Sequence, residues 1–371
     1  VTSIRFPAEW ESPAAIWLAW PHNRATWPGT PLRIGDKSVP RFDAIPPFFA
    51  RWARLIAEDT PVRILAHRDV IKAAAPQPTA GDLGFPELRC PNIEVVEIKT
   101  NDCWVRDYGP TFIFESDSEA TNAKSSTPCT TRVRAIDWRY NAWGGKYQPF
   151  DDDDAAAAQI ARAAGLSIVH DDLCLEGGAL ETDGIGRLLT TTSCLVTPTR
   201  NPGLTQAEIT ARLQERLGVA EVVWLESGLA GDDTDGHIDQ LARFIDPENI
   251  VVAASDSPED ANFEPLASLY QQLARWGAST QPRVNLHRLP LPPPRWIDDQ
   301  RVPESYCNFL WLGRKRLLVP VFGHAKSDDF ALGLLRELAV GTDVVAVDCR
   351  DLIWGLGALH CASRDQPAGN R

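Results

Sequence analysis

Ten residues from the end of the sequence, one cysteine follows a glycine-rich stretch and a histidine in the run Gly355-Leu-Gly-Ala-Leu-His-Cys361. An ionised thiol is a nucleophile, and three upstream motifs carry what such a nucleophile needs: Trp104-Val-Arg-Asp107, Leu175-Glu-Gly-Gly178 and Asp235-Gly-His-Ile-Asp239. Together they offer Asp107, Glu176, His237 and Asp239 to Cys361. Three carboxylates and an imidazole around a thiol match a guanidinium, whose planar N–H donors pair with carboxylate oxygens in forked, charge-assisted bonds. The held cation would present its central carbon to sulfur and would also favour the thiolate.

Each motif also has a plainer reading. His237 and Asp239, two residues apart, share a face if the segment is extended, but the acid-rich lead-in also suits a solvated turn. Asp107 is expected in a turn at a strand end, where it could equally bind its own backbone or Arg106. Glu176 precedes Gly177 and Gly178, whose missing side chains permit close approach of a ligand or merely of another chain segment. The four polar side chains could ligate a metal ion in a metal hydrolase. That reading lacks a second histidine at zinc-site spacing and leaves the cysteine motif unused.

Positioning residues so far apart in sequence requires a fold that returns to one point several times. Short apolar runs bounded by Gly, Pro and Asp predict strands over 14–20, 61–66, 93–98, 111–114, 133–138, 187–196, 250–254, 316–321 and 343–347. Helices are expected near 42–58, 151–164, 205–217, 258–276 and 327–339. Thr205-Gln-Ala-Glu208 is a capping box, Ser257-Pro258 a helix start, and Asp151 to Asp154 would suit the positive end of a helix dipole. Five helices flanked by strands predict an α/β fold of about five similar units. The stretches Ser116 to Thr131 and Leu289 to Pro294 look like surface loops, too short for linkers, so 1–371 reads as a single domain.

The 371 residues are 44% hydrophobic and 23% charged, the composition of an ordinary globular protein. A net charge of -13 argues against nucleic acid, which demands a basic footprint, and suits a cationic substrate. No stretch is apolar enough to span a membrane and the first residues lack a signal-peptide core, so a cytoplasmic location is expected. Eight scattered cysteines without a CxxC pair argue against a disulfide framework. The chain contains no methionine.

The ordered motifs carry a resemblance. Pro7-Ala-Glu-Trp-Glu11, Trp17-Leu-Ala-Trp-Pro-His22, Asn101-Asp-Cys-Trp-Val-Arg-Asp-Tyr-Gly-Pro110, Asn141-Ala-Trp-Gly-Gly-Lys-Tyr147, Leu175-Glu-Gly-Gly178, Asp235-Gly-His-Ile-Asp239 and the segment ending His360-Cys361 resemble the agmatine deiminase family, grouped with bacterial peptidylarginine deiminases. The resemblance implies a pentein α/β-propeller of five ββαβ units in pseudo-fivefold arrangement. It implies hydrolysis of a guanidine to a urea with release of ammonia, without metal or organic cofactor, feeding polyamine synthesis or nitrogen use.

It further implies roles for individual residues. Cys361 would be the nucleophile, Asp107 and Asp239 the clamp on the guanidinium, Glu176 a substrate contact that orients His237, and His237 the general acid and base. Trp104 would wall the alkyl chain and Asp235 would meet the distal ammonium. The expected partner is a small cationic guanidine, with neither nucleic acid nor membrane, and a homo-oligomer is left open. Where the family commonly reads Gly-Gly-Gly-Asn-Ile-His-Cys, this chain has Leu356, Ala358 and Leu359, which bears on substrate identity more than reaction type. Peptidylarginine deimination and a noncatalytic guanidine binder remain as rivals.

Overall fold

The computed structural model describes residues 2–34, 37–70, 84–117 and 131–369. One local plan recurs five times: an antiparallel strand pair, a helix, then a strand that returns parallel to the second member of the pair. Three copies are contiguous. Glu181–Thr182 and Arg187–Thr191 pair antiparallel, helix Gln206–Leu217 follows, and Glu221–Leu225 lies parallel to Arg187–Thr191. Ala242–Asp246, Asn249–Ala254, helix Phe263–Gly277 and Asn285–Pro290 repeat the plan. Leu310–Leu312, Arg316–Val321, helix Ala325–Leu338 and Asp343–Asp348 repeat it again.

The other two copies have additions. Thr111–Asp117, Thr131–Arg139 and Ser167–Cys174 form one sheet, with Thr2–Arg5 added at its edge and two short helices, Asp151–Asp154 and Ala156–Ala163, in the crossover. In the last, Ser363–Pro367 from the end of the chain pairs antiparallel with Pro13–Ala19. Helix Ile45–Ile56 then leads to Val62–Ala66 and on to Ile93–Glu97, both joining in parallel. Pro13–Ala19 from the early part of the chain and Ser363–Pro367 from its last part therefore share one sheet, and the segment carrying Cys361 enters that sheet directly.

Sequence explains the elements where its signals are local. In helix Gln206–Leu217 the apolar Ile209, Leu213 and Leu217, four residues apart, are buried on one face. The Thr205 hydroxyl accepts from Glu208 N at 3.3 Å while the Glu208 carboxylate accepts from Thr205 N at 2.8 Å. This reciprocal cap stabilises such a helix by about 1 kcal/mol.

Other expectations are corrected. The run Arg187 to Val196 is a strand only to Thr191, after which Thr192–Leu195 turns helical. The helix expected from 258 begins at Phe263, because Ser257 to Asp260 closes a turn instead. The predicted helix 151–164 is broken at Ala155. Its first turn also spends carboxylates on other segments: Asp153 accepts from Asn101 N at 2.7 Å and Asp154 from Tyr140 N at 2.6 Å. Of the two predicted surface loops, Leu289 and Pro290 belong to a strand and Leu289 is buried. In the other, residues 118–130 lie outside the described residues, between strands ending at Asp117 and starting at Thr131.

Candidate active site

Each of the five connections that lead into the first strand of an antiparallel pair delivers a side chain to one buried place. Asp107 precedes Thr111–Asp117, Glu176 precedes Glu181–Thr182, Asp239 precedes Ala242–Asp246, Asn308 precedes Leu310–Leu312, and Cys361 precedes Ser363–Pro367. The repeated plan thus assembles residues that are remote in sequence. Cys361, Asp107, Glu176, His237 and Asp239 are all buried there.

Local backbone differs from expectation at two of these points. Asp107 sits in a single helical turn, Val105–Tyr108, not in a strand-end turn. His237 and Asp239 are not on an extended segment, since Ile238–Gln240 is a 3-10 turn. The turn sends them to opposite sides of the site. His237 Nδ1 lies 3.6 Å from Asp107 Oδ1 and Nε2 lies 3.7 Å from Glu176 Oε2. Asp239 Oδ2 instead lies 3.6 Å from Cys361 Sγ and 2.7 Å from His360 Nδ1.

Gly178 marks the centre. A Cβ there would lie 2.5 Å from His237 Nδ1, 2.9 Å from Asp107 Oδ1 and 3.2 Å from Asp239 Oδ2, so only glycine leaves the side chains in place. Gly178 N donates to Asp107 Oδ1 at 3.0 Å, and Trp143 Nε1 donates to Asp107 Oδ2 at 2.9 Å. The glycine-rich run before the nucleophile has a similar steric cause. A Cβ at Gly357 would lie 2.6 Å from the Trp104 ring and 3.0 Å from Cys361 Cβ. Trp104 packs on Trp27 with ring centroids 5.9 Å apart and lines the cavity above the thiol.

Burial sets the charges. It pushes the Cys361 thiol well above its ordinary value, and the nearby Asp239 and Asp107 carboxylates push further in the same direction. Burial also raises Asp107, partly offset by His237. For Asp239 burial acts upward, but the hydrogen bond and charge of His360 outweigh it and the net shift is downward. Glu176 is driven down to about 2 because Arg200 and His237 outweigh its burial. Burial pulls His237 down, yet Asp107, Cys194 and Glu176 carry it well above its ordinary value. The shifts at His237 and Cys361 favour a proton on the imidazole and a proton on the thiol.

Three buried polar atoms here lack a hydrogen-bond partner: both ring nitrogens of His237 and Oδ1 of Asp239. Unpaired buried polar groups are costly, and Asp239 carries its open oxygen on a carboxylate whose Oδ2 lies 3.6 Å from Cys361 Sγ. The three open atoms are what a polar substrate would satisfy.

Above the thiol opens a cavity of about 850 Å³ whose lining includes Trp104, Asp107, Tyr140, Trp143 and Cys361. Its acidic side chains are Asp102, Asp107, Asp151, Asp152, Asp153 and Asp233, and Lys99 is the one lysine or arginine among the described lining residues. Lys99 Nζ is itself held 2.7 Å from Asp152 Oδ2. Among the described lining residues no lysine or arginine is left free to pair an incoming carboxylate.

Three expected substrate contacts, Asp235, Glu176 and Asp239, are not in this lining, and neither is His237; Asp239 nonetheless lies 3.6 Å from Cys361 Sγ. Asp235 lies 2.8 Å from both Arg200 Nη1 and Lys146 Nζ, committed to two cations. Glu176 also lies outside the lining, behind His237, where Arg200 Nε donates to its two oxygens at 2.8 and 3.0 Å. Glu176, Cys194 and His237 bring ligand-type atoms within 4.8 Å of one another. The Arg200 guanidinium already occupies the Glu176 carboxylate, so a divalent ion would be placed against a fixed positive charge, and the donor set suits a metal poorly.

Asn308, His360, Glu9, Arg200 and Trp143 were not singled out from sequence as contributors. Glu9, Trp143 and His360 lie inside motifs that stood out, so position alone flagged them without a role. Asn308 and Arg200 carry no local signal, because an asparagine before an apolar run and an arginine in a turn are ordinary.

A buried thiol facing two carboxylates and a protonated imidazole, under an acid-lined cavity, defines a cysteine-bearing site for a small cation. The description of the family whose model matches residues 5–367 is Porphyromonas-type peptidyl-arginine deiminase. The agmatine deiminase of Pseudomonas aeruginosa (strain LESB58) is 31% identical over 98% of this chain and 96% of its own. Among solved structures, a Cys→Ser variant of the C. jejuni agmatine deiminase with substrate bound superposes with a TM-score of 0.82 at 27% identity, covering 100% of this chain and 98% of that one. The agmatine deiminase of Enterococcus faecalis gives 0.80 at 27%, over 98% and 96%. The chain belongs to the Porphyromonas-type peptidyl-arginine deiminase family and has the α/β pentein fold of its agmatine deiminase members.

Proposed function

We propose that this protein hydrolyses the guanidinium of agmatine to N-carbamoylputrescine and ammonia through a covalent intermediate on Cys361. The observation that carries the substrate is the cavity: six carboxylates line it and its one lysine is already paired. Such a lining favours a guanidine with a second cationic end over one bearing a free α-carboxylate. The relatives named for agmatine deimination, including one with serine in place of a cysteine and substrate bound, support the same reading.

The guanidinium enters between Asp107 and Asp239, satisfies the open Oδ1 of Asp239 and, as a cation, draws the Cys361 thiol to its ionised form with the proton leaving to solvent. Sulfur forms a bond to the central carbon. His237 gives its proton to the departing nitrogen, the C–N bond breaks, and ammonia leaves an S-alkylthiouronium. Neutral His237 then takes a proton from water as the water oxygen bonds to the same carbon. Collapse breaks the C–S bond, the hydroxyl proton passes to the departing sulfur, and the urea product leaves with the Cys361 thiol restored. Glu176, fixed by Arg200, holds His237 in place, and Trp104 walls the alkyl chain.

The same reading treats the chain as one domain, supported by the sheet that pairs Pro13–Ala19 with Ser363–Pro367. It also places the protein in the cytoplasm, where a free thiol persists; among the described residues, no helix is long and apolar enough to cross a membrane. The test is a panel of agmatine, free arginine and a peptidylarginine, each scored for ammonia and ureido product, with wild type and Cys361→Ala. Agmatine is expected to be the best substrate and Cys361→Ala to yield no ureido product while keeping its fold. Turnover by purified Cys361→Ala would overturn the mechanism, and preference for peptidylarginine would overturn the substrate.

A further inference from the structure

Four of the five connections into the repeated strand pairs supply Asp107, Glu176, the His237 and Asp239 pair, and Cys361. The remaining one supplies Asn308, two residues ahead of Leu310–Leu312, just as Cys361 stands two residues ahead of Ser363–Pro367. Asn308 is buried, with all of its polar side-chain atoms engaged. Its amide oxygen accepts from His360 N at 3.0 Å and from Cys361 N at 3.3 Å. A backbone N–H has nothing to donate to in an NH₂ group, so these two bonds settle which end of the carboxamide is oxygen. Nδ2 is thereby aimed at Cys361 Sγ, 3.1 Å away, and at Asp239 Oδ2, 3.2 Å away.

We propose that Asn308 is a catalytic residue, whose side-chain N–H donates to the reacting sulfur of Cys361 and holds that sulfur beside the Asp239 carboxylate. The inference rests on Cys361 being the nucleophile. The charged and titratable groups around the sulfur are Asp107 from one connection with His237 beside it, Asp239 from the connection that also carries His237, His360 next to Cys361 in the chain and Glu9 behind His360. The two aspartates oppose the thiolate, and the Asn308 amide is a donor that favours it. A donor fixed before reaction needs no reorganisation when charge builds on sulfur. The same donor keeps Asp239 from turning away when the guanidinium arrives.

Two variants separate donation from scaffolding. Asn308→Asp keeps an acceptor for both backbone N–H groups but replaces the amide donor. Asn308→Ala removes both functions and cannot donate in any protonation state. The readouts are the pH profile of iodoacetamide alkylation of Cys361 without substrate, located by peptide mass spectrometry, together with kcat and KM for agmatine. Both variants are expected to move the alkylation profile to higher pH by about one unit. Both should lower kcat on the order of 10²-fold, with KM changed far less.

An alkylation profile for Asn308→Ala that superimposes on wild type would overturn the proposal, even if the melting temperature fell, because Asn308 would then only brace the turn. The alkylation readout involves no turnover. Failure of the proposed function would appear as product formation by Cys361→Ala, whereas failure of this inference would leave that variant inactive and the Asn308 profiles unshifted.

Discussion

Two buried histidines belong to the site, and their surroundings are opposite. His360 has both ring nitrogens saturated, at 2.7 Å from Asp239 Oδ2 and 2.7 Å from Glu9 Oε1. Glu9 is gripped in turn by Arg106 Nη1 at 2.9 Å and by Arg243, which also holds Glu181 at 2.6 Å. His237 has neither nitrogen within hydrogen-bond reach, and its nearest carboxylates stand off at 3.6 and 3.7 Å. A histidine with both nitrogens in short bonds to carboxylates is fixed in orientation and has no open nitrogen to offer a substrate. One held electrostatically, with open nitrogens, is available for transfer. The difference teaches that closeness to the thiol does not assign the acid and base. The open valences do.

The sharpest way to break the comparison is to remove each ring in turn. His237→Asn is expected to lower kcat for agmatine by roughly 10³-fold, within the range for loss of a general acid and base. It should also melt below wild type at neutral pH, because the ring that offsets the buried Asp107 and Glu176 carboxylates is gone, but by less than His360→Asn, since no hydrogen bond is lost. His360→Asn should reverse the pattern, leaving Asp239 and Glu9 facing each other as buried charges at a cost of roughly 3 kcal/mol. Its activity should fall less than that of His237→Asn. Parallel measurement of kcat and thermal melting checks both. If His360→Asn melts like wild type, or if it is the slower enzyme when folded, the assignment of roles is wrong.

A titration sharpens the same contrast. In the free enzyme Cys361 must lose a proton held tightly by burial, Asp239 and Asp107, while His237 must keep one held by Asp107 against its burial. Both shifts are upward, so the bell of kcat/KM is expected on the alkaline side. Bound guanidinium favours the thiolate, so the acidic limb of kcat should lie at lower pH than that of kcat/KM. Coincident limbs would show that the substrate does not help ionise the thiol.

Linkage gives a second reading of His237. Its folded pKa lies above the unfolded one, so protonation contributes stability that is complete below about pH 6.5 and is lost as pH rises through the folded value. Wild type should therefore lose melting temperature relative to His237→Asn on the alkaline side. Glu176 runs the other way: its folded value is about 2, so its contribution is present above about pH 4.5 and fades as pH falls towards 2.

The sequence carried the reacting groups more clearly than their arrangement. Cys361, Asp107, Glu176, His237 and Asp239 stood out through motif chemistry, and the structure brings them together. The reason for pairing His237 with Asp239 was a shared face, whereas a 3-10 turn separates them and gives each a different neighbour. Helix Gln206–Leu217 was legible because its cap and apolar spacing are local. The strands Glu181–Thr182 and Leu310–Leu312 are too short to show a period, so the connections before them could not be recognised as equivalents of the Cys361 segment. Asn308 and Arg200 act through partners 53 and 24 residues away, and no local pattern announces that.

Asp235 gives the smallest and most discriminating test. Expected from sequence to meet the distal ammonium, it is instead held by Arg200 and Lys146, in a backbone conformation with φ 67°. Arg200 is the group that fixes Glu176, and Glu176 lies behind His237. Asp235 thus reaches the chemistry only at the end of a chain of contacts, and its side chain is 40% exposed, which screens its charge. Asp235→Asn should reduce kcat/KM by no more than about fivefold, corresponding to about 1 kcal/mol. The reduction should be the same for agmatine as for an alkylguanidine of equal length without the terminal amine. A rise in KM confined to agmatine would return Asp235 to the ammonium, and the acid-lined cavity would lose its claim to that end of the substrate.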